Sequence, residues 1–146
     1  MSIELTDEMR QQINSSLAEG QPVMVATASG AGVPDLVFKG SMMVFDAEHL
    51  AWWERALGTT LANLRENPHV CALYRNTQTR QAWKFFGVAE LHDAGATRQA
   101  VMGRTVQAEL DRDPERKGVA VVVRVDRVVQ AGKDIMVRED AAAATS

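Results

Sequence analysis

Three short stretches of this 146-residue chain carry residue types that can do chemistry. The first is Arg55 followed by Gly58-Thr59-Thr60, where a strand-like run gives way to a helical one. A helix start leaves its first backbone N–H groups without partners, and its dipole favours an anion there. A flexible glycine, two hydroxyls and a nearby guanidinium would serve a phosphate well. Thr59 or Thr60 equally suits the plainer role of capping the helix, and the two roles are compatible. The second stretch is Lys39-Gly40-Ser41, inside an extended run. A lysine beside a glycine can set a cation next to a ligand that lies close to the backbone; the plainer alternative is a solvated lysine. The third is aromatic: the adjacent pair Trp52 and Trp53, then Trp83 with Phe85 and Phe86. Core packing must account for most of these rings. Consecutive side chains on a strand point to opposite faces, so one of the Trp pair should face away from the core unless something covers it.

Other chemistries find no support. His49, His69 and His92 are widely separated and lack the spacing of a metal site, so no metal is expected. There is no GxSxG, no P-loop and no GxGxxG after a strand; SGAG at 29–32 reads as a turn between strands. The DRDPER run reads as a solvated loop. The single cysteine, Cys71, cannot form an intrachain disulfide and lies in the apolar run HVCALY, which fits a small core residue in a reducing compartment. A net charge of −3 argues against nucleic acid as a partner. No apolar stretch approaches a membrane span, and the polar, acidic start MSIELTDEMRQQ is unlike a secretory signal, so a cytoplasmic protein without a membrane partner is expected.

These residues need elements to position them. Thr6 is a good N-cap, and Met9, Ile13 and Leu17 recur every fourth residue, predicting a helix to about Glu19 that Gly20 and Pro22 end. PVMVATAS predicts a strand, and Asp35–Phe45 a second extended run, interrupted at Gly40 by a bulge or a close approach. HLAWW returns as the next strand after the turn Asp46-Ala47-Glu48. A helix is predicted from Thr59 to Asn67, before Pro68. His69–Tyr74 and Trp83–Leu91 read as strands, Ala96 to about Arg112 as one helix, and GVAVVVRVDRVVQA as the last strand, buried first and half exposed later. Residues 1–140 then form one domain, mainly β, of about six or seven antiparallel strands closed or partly closed into a barrel with peripheral helices. The tail 141–146 reads as disordered.

The order VMVATASGAGVPDLVFKGSMMVFDAEHLAWW, helix, ENPHVCALYRN, WKFFGVAEL resembles the pyridoxamine 5′-phosphate oxidase-related family of FMN-binding split β-barrels. The likeness covers residues 20–93 and rests on the strand ending in VAT, the Gly-x-Pro turn, LxxLRENPHVCALY and FGVAEL. It implies an FMN-dependent oxidoreductase acting on a small molecule, and a homodimer with FMN at the subunit interface. By position, Lys39, Gly40 and Ser41 would lie beside the flavin and its phosphate. Trp52 and Trp53 would stand at the strand end that contacts the cofactor, with one of them lining the flavin site or the dimer seam. Gly58, Thr59 and Thr60 would form the phosphate-binding turn, and Trp83 and Lys84 would come from the other subunit. The sequence departs from the family where members that bind FMN tightly carry Arg-Lys or Lys-Thr and this chain has Thr59-Thr60; Arg55 or Lys39 would have to compensate. No counterpart of the C-terminal arginine and histidine segment of vitamin B6 oxidases is found, so that activity is not expected. The alternative implied by the same fold is a non-catalytic binder of a flavin, a deazaflavin or haem.

Overall fold

The computed structural model describes residues 2–139. Among the described residues the fold is mainly β, with eight antiparallel strands in one curled sheet and four helices: α1 (Asp7–Asn14), β1 (Val23–Ala28), β2 (Pro34–Lys39), β3 (Met43–Asp46), β4 (His49–Glu54), α2 (Thr59–Glu66), β5 (His69–Arg75), β6 (Ala82–His92), α3 (Ala96–Arg104), α4 (Gln107–Leu110), β7 (Val119–Gln130) and β8 (Lys133–Val137). The strand order is β2-β1-β5-β6-β7-β4-β3, with β8 also paired to β7. Strands β2 and β3 are neighbours in sequence but end up at opposite edges of the sheet, which leaves the barrel split.

Most sequence expectations for the elements are met, and the departures have local causes. Thr6 caps α1 by accepting a hydrogen bond from the Met9 amide at 3.1 Å, and Met9 and Ile13 are buried as the fourfold spacing requires. The helix nevertheless ends at Asn14, because Ser15 turns its hydroxyl onto the Gln11 carbonyl and the chain continues as turns to Gly20. The single late helix is two: Thr105 takes an extended conformation between α3 and α4, with its hydroxyl on the Val101 carbonyl. Strand β8 exceeds the expected six or seven strands. Ala131 and Gly132, at φ 52° and 76°, make the tight left-handed turn that folds it onto β7. Alanine is a poor signal for such a turn, which hid the hairpin. The tail expected to be disordered (141–146) lies outside the described residues.

The alternation of β7 splits the interior in two. Val121, Val123, Val125 and Val128 face the barrel core with Trp52, Trp83, Phe85 and the α1 side chains, while Ala120 and Val122 face outward, where they pack with Trp53 and Ala51 under Val101 of α3 and Leu110 of α4. Burying so many large apolar side chains on both sides of one strand is the main source of stability here.

The loop between α4 and β7 is not the solvated segment its charges suggest. Asp113 is buried and accepts from Trp53 Nε1 (2.8 Å), Gly118 N (2.8 Å) and Lys117 N (2.9 Å). The Arg116 guanidinium donates to the Leu110 and Asp113 carbonyls, and that of Arg98 donates to the Arg116 and Gly118 carbonyls while lying 4.8 Å from the Trp53 ring centroid. Gly118 has no side chain for a reason: a Cβ there would stand 2.5 Å from the Trp53 indole.

Candidate functional site

The residues singled out around Lys39 and Arg55 do converge, because β2 and β4 end at the same corner beside the start of α2. Lys39 Nζ sits 2.8 and 3.0 Å from the two carboxylate oxygens of Glu54, the last residue of β4, which is 1% exposed. Trp52 Nε1 donates to the same carboxylate at 2.9 Å. Arg55 Nε meets Glu109 Oε2 at 2.8 Å. Ser41 is buried, and its hydroxyl accepts from Trp53 N (2.9 Å) and donates to Trp53 O (3.2 Å), so it pins the corner to β4 rather than facing a ligand. The close approach expected at Gly40 is real, but the visitor is the chain itself. A Cβ there would lie 2.6 Å from Glu109 Oε1 and 3.1 Å from Leu17.

The helix start differs from both readings of its threonines as caps. Gly58 is the N-cap of α2, with φ −108° and ψ −133°, and no side chain caps the first turn. Thr60 is buried and Thr59 exposed, and the space around Gly58 is open. Neutral donors are therefore available at this end, while both nearby cations already hold carboxylates.

The two tryptophans answer the alternation rule in another way than expected. Trp52 is 0% and Trp53 1% exposed, each in its own core and each with its indole N–H satisfied within the chain. Neither lines an open groove, because α3 and α4 cover the outer one. Trp83 is likewise buried, stacked on Tyr74 with ring centroids 5.6 Å apart, and Lys84 stands exposed on β6, which β7 separates from β4. Within one chain, Trp83 and Lys84 are not brought to the Lys39 corner.

Elsewhere on the outer face nothing among the described residues covers the sheet. The registers align Leu36, Ala26, Cys71, Phe86, Arg127 and Val137 in one row across β2, β1, β5, β6, β7 and β8. Leu36 is 60% and Phe38 64% exposed, and Leu57 ahead of α2 is also bare. A cleft of about 750 Å³ opens along this row, lined in part by Thr27, Asn67, His69, Cys71, Phe86 and Arg127. Arg127 lies over the Phe86 ring at 4.2 Å and pairs with Asp134 at 3.3 Å. Burial pushes the Cys71 thiol above its ordinary value, and Lys84 and Arg127 only partly pull it back, so it stays a neutral thiol near neutral pH. Sequence reasoning missed this row because register, not spacing, assembles it. It also missed Glu54 and Glu109 as partners of the two cations.

The sequence model described as pyridoxamine 5′-phosphate oxidase matches residues 5–130. This chain belongs to the pyridoxamine 5′-phosphate oxidase family. An uncharacterised protein of Methanocaldococcus jannaschii is 29% identical over 136 residues, 90% of this chain and 85% of that protein. A variant of the HupZ protein of Group A Streptococcus superposes with a TM-score of 0.68 at 25% identity, covering 86% of this chain and 98% of its own. An FMN-binding protein from Syntrophomonas wolfei superposes with a TM-score of 0.65 over 85% of this chain and 86% of its own, at 11% identity, a likeness of fold alone. The split barrel is thus the family's architecture, and the two cores and the corner at Lys39 are this chain's version of it.

Proposed function

We propose that this chain is a flavin-binding member of the pyridoxamine 5′-phosphate oxidase family. It takes FMN in a groove that a second copy of the chain completes, and uses it to oxidise or reduce a small molecule. Family membership and the FMN-binding protein of the same fold support the cofactor. The observation that carries the reading is the bare apolar face: Leu36 and Phe38 of β2, with Leu57 just ahead of the open start of α2. Contiguous apolar surface of this kind marks a place where a ligand or another chain belongs. A flat isoalloxazine ring fits against such a strip, and a twofold-related copy is the commonest cover for the remaining sheet face.

The fit is uneven along the length of FMN. The ring end has the apolar strip, whereas the phosphate end has hydroxyls and uncapped amides but no cation free of a carboxylate partner. A bound flavin would supply the redox chemistry, while the chain's part is binding, orientation and exclusion of water. The Lys39–Glu54–Trp52 network holds the corner rigid, and the apolar strip presents a dry wall to the ring.

The test is an absorption spectrum of the purified protein before and after addition of FMN, with a gel-filtration mass alongside. Flavin bands that travel with a dimer are the expected result. A colourless monomer that ignores added FMN would overturn the reading. Reduction of the bound flavin by NADH or NADPH, with turnover of an added acceptor, then separates an enzyme from a non-catalytic flavin binder.

A further inference from the structure

The cleft on the outer face carries positive charge that the chain does not fully answer. Its floor is apolar: Ala26, Cys71, Phe86 and Val137 line it, in one row with Arg127. Two cations stand beside that floor and meet at one ring. The Lys84 ammonium lies 5.9 Å and the Arg127 guanidinium 4.2 Å from the Phe86 centroid. Burial raises the Cys71 thiol, and these same two charges act on it in the opposite sense, which puts both within electrostatic reach of the floor.

The neighbouring carboxylates are either committed or loosely engaged. Asp126 is 17% exposed and is held by Arg124 at 3.0 Å and Arg138 at 3.2 Å. Asp134 meets Arg127 at 3.3 Å, but the two side chains are 44% and 43% exposed, and an open pair of this kind contributes little. Lys84 forms no ion pair among the described residues. Two like charges gathered at one ring repel each other, and an anion placed between them removes that repulsion. The cleft has a volume of about 750 Å³, within the range of small-molecule sites.

We propose that this cleft binds an amphipathic organic anion, with a flat apolar body on the Ala26, Cys71 and Phe86 floor and a carboxylate between Lys84 and Arg127. A neutral ligand would leave the charges unanswered, and a bare inorganic anion would leave the floor uncovered. The floor residues are half-buried, while Leu36 and Phe38 stand exposed beside them. A second copy resting on those two side chains therefore roofs the ligand rather than displacing it. None of the Lys39 corner takes part, so this site stands apart from the flavin reading.

Naphthoate and its cationic counterpart naphthylmethylamine are the probes, titrated calorimetrically into the full chain without added flavin. Naphthoate should bind at least about tenfold more tightly than the amine, and less tightly as salt screens the two cations. It should also slow the alkylation of Cys71, the single cysteine, by N-ethylmaleimide. Lys84→Met, a change at an exposed side chain, should lose about tenfold in naphthoate affinity and leave the amine unaffected. Asp134→Asn, which releases Arg127, should gain about threefold. Failure of naphthoate to bind, equal binding of the two probes, or binding that leaves Cys71 alkylated at its free rate would overturn the site. Unchanged naphthoate affinity in Lys84→Met would overturn the part given to the paired cations. No flavin enters these titrations, so a failure here leaves the flavin reading standing, and a protein that ignores FMN leaves this site standing.

Discussion

The outer face of the curled sheet is treated in two ways. Over β4 and the first half of β7, α3 and α4 cover it, and Trp53, Ala51, Ala120 and Val122 form a second core there. Over β2, β1, β5 and β6 the same face carries Leu36, Ala26, Cys71 and Phe86 with no covering element among the described residues. The registers show that these are one continuous face, so the contrast does not come from strand alternation. It comes from where the late helices land and from the knot that holds them. Asp113, Arg98 and Arg116 fasten the α4–β7 loop over Trp53, whereas the other half offers only side chains of intermediate or high exposure and a cleft.

The largest effect should come from emptying the covered half. Trp53→Ala removes a fully buried indole and its bond to Asp113, and should cost about 3–5 kcal/mol of unfolding free energy by denaturant titration. A loss below about 1 kcal/mol would mean that the second core contributes little.

Asp113→Asn should cost about 2–3 kcal/mol, since two buried N–H groups and a part-buried one lose a carboxylate acceptor. The same variant has a signature in pH. Burial pushes the Asp113 carboxyl up, but the Lys117 amide, the Trp53 indole, the Gly118 amide and the Arg116 charge together hold it below its ordinary value of 3.8. A carboxyl lowered in the folded state binds protons more readily when unfolded. Its stabilisation is therefore fully present above the ordinary value and is lost as the pH falls through the folded value. Stability of the unaltered chain should drop in acid below about pH 4 more steeply than that of Asp113→Asn. Parallel acid profiles for the two proteins would remove Asp113 from this account.

The smallest change in stability belongs to the bare half, and there it sharpens the comparison. Phe38→Ser, at a side chain 64% exposed, should move the unfolding free energy by no more than about 0.5 kcal/mol. It should nevertheless shift the gel-filtration mass toward the monomer and weaken flavin binding. A variant that keeps the mass and the flavin affinity would show that this strip is ordinary surface.

Where structure follows from neighbours along the chain, it was legible. Thr6 with Met9 and Ile13 gives α1; the apolar run and later alternation of β7 give its two faces; Pro68 ends α2 and starts β5. The ordered series of short motifs between residues 20 and 93 also pointed to the family and its split barrel. The turn at Ala131-Gly132 was hidden because alanine rarely takes a left-handed conformation, and with it went β8.

The site shows the same division more sharply. The sequence by itself put cations at Lys39 and Arg55, hydroxyls at Thr59 and Thr60, and paired indoles at the end of a strand. Only the tertiary structure decided that Glu54 and Glu109 hold those cations, that Asp113, 60 residues away, receives the Trp53 indole, and that both tryptophans are therefore internal. The physical reason is that caps and periodicity act between residues a few positions apart. Charge neutralisation and burial depend instead on whatever the fold brings within a few ångströms, at any distance along the chain.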